Sequence, residues 1–530
     1  MVHSIRWPLI SLVAVAALSG IDAAAQAPIP DANRQANPDT AAPAATASTN
    51  PSKLRRVDGM ILLDYQVISV PQDQSIDLMG FHVLNKVTDW LYLGIGGYAP
   101  LVKGEYGGFM AFDITAHARR KIWGNLFADA SLSMGGGGGG KSTQQSIVLS
   151  GTGGFVKGSV GLGYDFRDFA VGANVTRMKF KDSSIDSTHL NVFVQVPFSY
   201  VIGSYASFGS KFSAADAQSI FEDSSENTLT LGLAKVVQID PEGTYKGNFQ
   251  LADFQFAHFM TQNAYWYASM GIGYQGLTLY NQMIGGLGYR FSVTPRVNLH
   301  AQLGVGSGGY DPEKIDTDAG LLGYPKVSAE YDIAKNFSLS LTAGYLLAAK
   351  GSSKNYTLGA SLSYHIQPHG VGIGAGGTSD DIRFNGYRLS LFQQTEYNVS
   401  YRDIDRSTVN MLSLQLDTLV NQHLYIPIKA SIAYVPYMGY PGYGEVLAGV
   451  GVQTEYNKDR RLQFFGQLLA GANVHGPILK AGIGVNYGLS DQLAIRASVG
   501  KTKGPSSDGR NFKTDYVGLG MTYRFSIPGW

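Results

Sequence analysis

Along residues 516–527, large apolar side chains alternate strictly with small or polar ones. Val517, Leu519, Met521, Tyr523, Phe525 and Ile527 share one face, and Gly518, Gly520, Thr522, Arg524 and Ser526 share the other. A period of two is that of a β-strand with one apolar side. The same reading holds in residues 188–200, where Leu190, Val192, Val194 and Val196 oppose His189, Asn191, Gln195 and Ser199. It holds in residues 109–117, where Met110, Phe112, Ile114 and Ala116 oppose Ala111, Asp113, Thr115 and His117. It holds again in residues 478–487, where Leu479, Ile483 and Val485 oppose Lys480, Gly482, Gly484 and Asn486. No segment after Arg56 carries a sustained helical period that could cover these apolar faces. Strands of about ten residues, apolar outside and polar or Gly inside, predict a transmembrane antiparallel β-barrel.

Connections alternate in length. Residues 166–168, 332–336, 457–461 and 488–491 read as tight turns, whereas 135–154, 306–320 and 501–513 read as long loops. Transmembrane barrels have short turns at the periplasmic end and longer loops outside. With the N-terminus in the periplasm every long loop falls outside, and the strand number must be even.

The N-terminal segment has its own logic. Arg6 precedes an apolar run at residues 9–18, and Ala23, Ala24 and Ala25 offer small residues for cleavage. Ten apolar residues are too few for a spanning helix, so residues 1–25 are expected to be a secretory signal peptide. Residues 26–56, rich in Pro, Ala, Asn, Ser and Thr, read as a flexible periplasmic linker. The barrel region is then 57–530.

Composition narrows the class. Charged residues are 15% of the chain, below the roughly 25% of soluble domains, and Gly is 66 of 530. Forty-one Lys and Arg against 40 Asp and Glu leave a net charge of +1, which lacks the basic excess of a nucleic-acid binder. The absence of Cys excludes disulfides, thiolate metal sites, a Cys nucleophile and an N-terminal lipidated Cys.

Taken with the signal segment, the loop asymmetry and a last strand carrying Tyr523 and Phe525, the chain resembles Gram-negative outer-membrane β-barrel proteins as a class. The resemblance implies an outer-membrane location, contact with outer-membrane lipid, and recognition of the aromatic last strand by the barrel assembly machinery. Here Pro528, Gly529 and Trp530 displace the aromatic end by a turn. A periplasmic partner reached through the linker is a further expectation.

Three repeats are visible. The stretches from Lys157 and Leu479 share a template of inward Lys (Lys157, Lys480), Gly-rich strand, terminal Tyr (Tyr164, Tyr487), tight turn and further strand, and the stretch from Tyr324 fits it with Tyr331. Units of about 57–203, 227–366 and 384–527 would each hold about eight strands, about 24 in all. The units could join in one large ring or close as three small barrels. The inward glycines Gly161, Gly163, Gly482, Gly484, Gly518 and Gly520 leave space, and on that ground one ring is the preferred arrangement.

Several motifs are weighed as chemistry. Gly135 to Gly140 followed by Lys141 and Ser142 has P-loop spacing but no helix after it. Gly372, Gly374 and Gly377 form a GxGxxG without a helix or acidic partner, and Pro368 breaks the helix that His365 and His369 would need to share a metal. No catalytic residue, cofactor or metal is expected. The lumen-facing candidates are Asp113, His117, Asn125, Asp129, Lys157, Asp165, His189, Lys480, Arg496 and Arg524. The expected function is non-enzymatic passage of solutes, or of an exported polymer such as exopolysaccharide, through a polar lumen. The alternatives are a structural or anchoring role without a pore, and an outer-membrane enzyme using Ser131 or Ser133 with a nearby His and acid.

Overall fold

The structure is a computed structural model. It describes residues 55–70, 74–140, 148–166, 168–210, 226–278, 280–334, 336–366, 383–401, 404–437, 441–455, 461–505 and 511–529. The expected signal peptide, nearly all of the linker, Lys141, Ser142, the GxGxxG stretch and His369 lie outside these residues.

The first unit runs β1 (Arg55–Ile68), β2 (Ile76–Lys86), β3 (Leu91–Ala99), β4 (Met110–Trp123), β5 (Leu126–Gly138), β6 (Gly154–Asp165), β7 (Ala170–Phe180) and β8 (Asp186–Ile202). The second runs β9 (Asn227–Gln238), β10 (Phe249–Phe259), β11 (Ala264–Gln275), β12 (Asn281–Thr294), β13 (Val297–Gly309), β14 (Leu321–Ala334), β15 (Phe337–Ala348) and β16 (Lys354–Ile366). The third runs β17 (Arg383–Tyr401), β18 (Ile404–Leu419), β19 (Leu424–Ala433), β20 (Gly444–Gln453), β21 (Leu462–Asn473), β22 (Gly476–Gly488), β23 (Leu493–Pro505) and β24 (Asn511–Gly529).

All 24 strands are antiparallel to their neighbours, and each unit closes on itself. β1 pairs with β8 from Arg55↔Ile202 to Gln66↔Asn191. β9 pairs with β16 from Asn227↔Ile366 to Gln238↔Asn355. β17 pairs with β24 from Arg383↔Gly529 inward. The strand number and the eightfold units follow the alternation, but the preferred single ring is replaced by the three-barrel arrangement. The reason lies in the glycines. A Cβ on Gly163 would lie 2.2 Å from the Phe127 ring, one on Gly484 2.4 Å from Phe465, and one on Gly482 1.8 Å from the Tyr516 hydroxyl. The space that Gly leaves is filled by aromatic rings from neighbouring strands, the packing a narrow barrel requires.

Short turns gather at the end that holds both termini of each unit, and most of the longer connections, among them 100–109, 139–153, 239–248, 310–320 and 434–443, lie at the other. Outward positions are apolar and exposed, as at Val160, Leu190, Leu303, Leu341, Ile483 and Leu519. Trp90, Trp123, Tyr164, Phe169, Tyr289, Phe291, Tyr331 and Tyr487 form an exposed aromatic girdle toward the short-turn end.

The barrels touch. A Cβ on outward Gly136 would lie 2.4 Å from the Ala433 carbonyl, and one on Gly138 3.1 Å from Pro441. The glycine run with P-loop spacing therefore lets barrels one and three approach closely at the long-loop end. At the short-turn end Gly203 and Ser526 exchange backbone hydrogen bonds of 2.7 and 3.1 Å. Thus Ser526 is buried between two barrels. Between barrels one and two, the Gly107 N–H donates to the Asp318 carbonyl at 2.9 Å. Between two and three, the Tyr387 hydroxyl bonds that of Tyr364 at 3.0 Å.

Leu519 is 60% exposed in β24. Leu519→Arg should destabilise the third barrel in a bilayer by about 2–4 kcal/mol, the cost of Arg at a bilayer midplane. Gln422→Arg, in an exposed turn, should cost nothing measurable. Heat-modifiable gel mobility and urea titration in liposomes check both.

Candidate functional site: three buried polar interiors

An inward Lys occupies the sixth strand of each barrel: Lys157 in β6, Lys326 in β14 and Lys480 in β22, all buried. Alternation sends each ammonium to the barrel centre, where it must meet acceptors. Above and below, aromatic and aliphatic side chains close the interior. In the first barrel one apolar cluster includes Tyr98, Phe155 and Phe180. The other includes Leu62, Phe127 and Phe193.

In the first barrel Lys157 bonds Asp64 and the Tyr98 hydroxyl, the latter at 2.9 Å. Asn191 donates to Asp64 at 3.2 Å. His82 lies 3.3 Å from Asp113, and His117 lies 3.0 Å from Asp129. His189 is half-buried and bonds Gln66 at 2.8 Å. Asp165 pairs with Arg119 at the strand end. Asn125 does not face the interior. It is exposed in the tight turn between β4 and β5, where its carbonyl accepts the Asp165 N–H at 2.8 Å. A two-residue turn ends the alternation before that position.

Ser131 bonds Ser159 at 2.6 Å and Ser133 bonds Thr115 at 2.7 Å. His117 instead meets Asp129 and Gln195. Among the described residues no hydroxyl of this pair is hydrogen-bonded to an imidazole, the contact a nucleophile would need.

The third barrel has the densest network. Lys480 lies 2.8 Å from Glu396 and 2.6 Å from Glu445, and Lys429 lies 3.1 Å from Glu445. Gln394 donates to both Glu396 and Glu445, at 3.1 and 3.2 Å. Nearer the short-turn end Arg388 pairs with Asp417 at 3.0 Å, with Arg496 at 3.7 Å from the same oxygen. Arg496 stacks over Phe465 at 3.9 Å and Arg388 over Tyr425 at 4.5 Å. Arg524 is buried and donates to the Ser490 carbonyl at 2.5 Å.

The second barrel holds a cavity of about 80 Å³, lined among others by Asp253, Gln255, Gln302, Lys326, Glu330 and His365. Lys326 donates to Gln255 at 2.9 Å. Toward the short-turn end, Arg290 grips Glu226 with two bonds of 2.9 Å, and His365 Nδ1 lies 2.9 Å from Glu226. Glu226, Arg290, Lys326, Glu330, Glu396, Lys429 and Glu445 are interior groups missing from the sequence-derived candidates. Their signal was the same alternation, in strands such as β17, where Arg388, Ser390, Gln394 and Glu396 share one face.

The geometry defines a class: closed antiparallel β-barrels with apolar exteriors and filled polar interiors. A family model described as a protein of unknown function, DUF481, matches residues 244–367, a stretch of the second barrel. No curated protein matches the chain. Among solved structures, the ferric enterobactin receptor PfeA of Pseudomonas aeruginosa is 10% identical, covers 88% of this chain and 81% of its own, and has a TM-score of 0.29. The siderophore receptor PirA of Acinetobacter baumannii is 11% identical over 88% of this chain and 80% of its own, at 0.26. The outer membrane protein Ail of Yersinia pestis is 14% identical over 27% of this chain and 99% of its own, at 0.20. Likenesses at these TM-scores carry no argument about fold or function.

Removing one partner of a buried charge network is costly because the others stay desolvated. Lys480→Met should destabilise the third barrel by about 3–5 kcal/mol. Adding Glu396→Gln should recover part of that loss, since one fewer carboxylate is left uncompensated. Urea unfolding of the two variants in liposomes checks the order.

Proposed function

We propose that the protein is an outer-membrane anchoring platform of a Gram-negative cell: three fused barrels without a wide pore, carrying loops outside and a linker toward the periplasm. The observation that supports this most is closure at eight strands. Eight strands enclose an interior just wide enough for side chains, and here Tyr, Phe, Lys, Arg and carboxylates occupy it. The exposed apolar flanks and the aromatic girdle suit a lipid surround, and closed rings leave no unpaired edge in hydrocarbon. In this reading the barrel assembly machinery inserts the protein, outer-membrane lipid surrounds it, and the linker contacts a periplasmic partner.

Passage of small solutes is a second reading, favoured by the 80 Å³ cavity in the second barrel. Export of a polymer such as exopolysaccharide would need a bore that an eight-stranded ring does not provide.

Planar-bilayer recording separates these readings. The platform predicts no stable conductance step from purified, folded protein. Small steps abolished by Lys326→Met would support passage through the second barrel. Large porin-like steps would contradict the platform.

A further inference from the structure

We infer that the short-turn mouth of the second barrel is a binding site for one divalent transition-metal ion of the zinc type, held by Glu330, Asp332 and His365. Glu330 and Asp332 are two apart on β14 and therefore share the inward face. His365 reaches them from β16 across β15, where Ser338 is small enough to let the side chains meet. One donor atom from each of the three lies within 4.8 Å of the others, and all three residues are buried.

Three independent features point to a cation. First, Asp332 is 7% exposed, yet its carboxylate receives no hydrogen bond among the described residues. Its neighbours are all otherwise engaged: Glu330 accepts from Ser338 at 2.9 Å and lies 3.3 Å from His300. A carboxylate at the barrel mouth with no such donor is placed to face a cation.

Second, His365 is oriented as a metal-bound imidazole is. Its Nδ1 faces the Glu226 carboxylate at 2.9 Å, which is itself clamped by Arg290. A carboxylate behind the ring is the usual support for a ligating His. The other nitrogen, Nε2, lies 3.6 Å from Glu330 Oε2. That separation is close to the roughly 3.4 Å between two tetrahedral ligands about 2.1 Å from zinc. Nε2 also lies 3.0 Å from the Ser338 hydroxyl, which an incoming ion would displace.

Third, the donor set is rich in oxygen. Among the described residues Glu226, Glu330 and Asp332 gather around Arg290 and the imidazoles of His300 and His365, and a divalent ion suits carboxylates placed in this way. Glu330 and His365 also line the cavity, which borders the site from the barrel interior. One imidazole with carboxylates suits zinc, cobalt or manganese better than a soft monovalent metal.

The test uses the full folded chain in detergent, stripped with a chelator and titrated with Zn²⁺, with Co²⁺ as the spectroscopic probe. One equivalent should bind per chain, with a cobalt visible spectrum of nitrogen and oxygen ligation. Asp332→Asn should weaken binding at least about tenfold while keeping heat-modifiable mobility, because among the described residues no side chain is hydrogen-bonded to its carboxylate and the exchange keeps the backbone bond to Arg296. His365→Gln should do the same, and Ser338→Ala should bind as the wild type does. The rival arrangement is a protonated His365 bridging Glu226 and Glu330 with no metal. Stripped wild type that takes up no more zinc than Asp332→Asn would establish that arrangement and overturn the proposal, even if His365→Gln failed to fold.

Discussion

The pairing of first and last strand within each unit is the constraint from which the other features follow. A strand edge carries a row of backbone N–H and C=O groups that hydrocarbon cannot satisfy. A sheet surrounded by lipid must close, and this chain closes three times, through β1 with β8, β9 with β16, and β17 with β24. Eight strands then set the radius, and the radius sets what the interior can hold. Glycines facing aromatic rings, as Gly163 faces Phe127 and Gly484 faces Phe465, are how the narrow interior is packed.

Packing of that kind leaves the centre of each barrel polar and buried. An ammonium in the sixth strand recurs in all three units, but its partners differ: Asp64 and Tyr98 in the first, Gln255 in the second, Glu396 and Glu445 in the third. Conservation of position with variation of partner gives the three interiors distinct electrostatics. The third has five buried cations, Arg388, Lys429, Lys480, Arg496 and Arg524, against Glu396, Asp417 and Glu445. The second holds a cavity large enough for several waters.

The alternation of apolar and polar positions made the strands, their number and most of their inward residues legible in the sequence, though not the turn position of Asn125. Leu190 and Leu519 lie outside, and Lys157, Lys480 and Arg496 inside, because a period of two has only two phases. Closure was not legible, since the same strands can form one ring or three and the difference lies in which edges meet. Inward Gly reads as emptiness in one dimension, and only the neighbouring strand reveals the ring that fills it. The glycine run at Gly135 is similar, because its value lies in contact with Ala433 and Pro441, far away in the chain. The cluster around His365 was equally hidden. Its spacing to His369 would serve a metal only on a helix, which Pro368 breaks, whereas its partners are Glu226, Glu330 and Ser338 from elsewhere in the chain.

Closure within each unit is open to a direct test, because the chain has no Cys of its own. Leu63 in β1 and Val194 in β8 are register partners across the seam of the first barrel. With Leu63→Cys and Val194→Cys introduced together, oxidation or a short bifunctional thiol reagent should link the two residues in folded protein and shift its non-reducing gel mobility. The link should not form in urea-unfolded protein at the same rate. Folded protein whose two thiols both react with a maleimide but never link to each other would contradict closure at eight strands, and with it the three-barrel account.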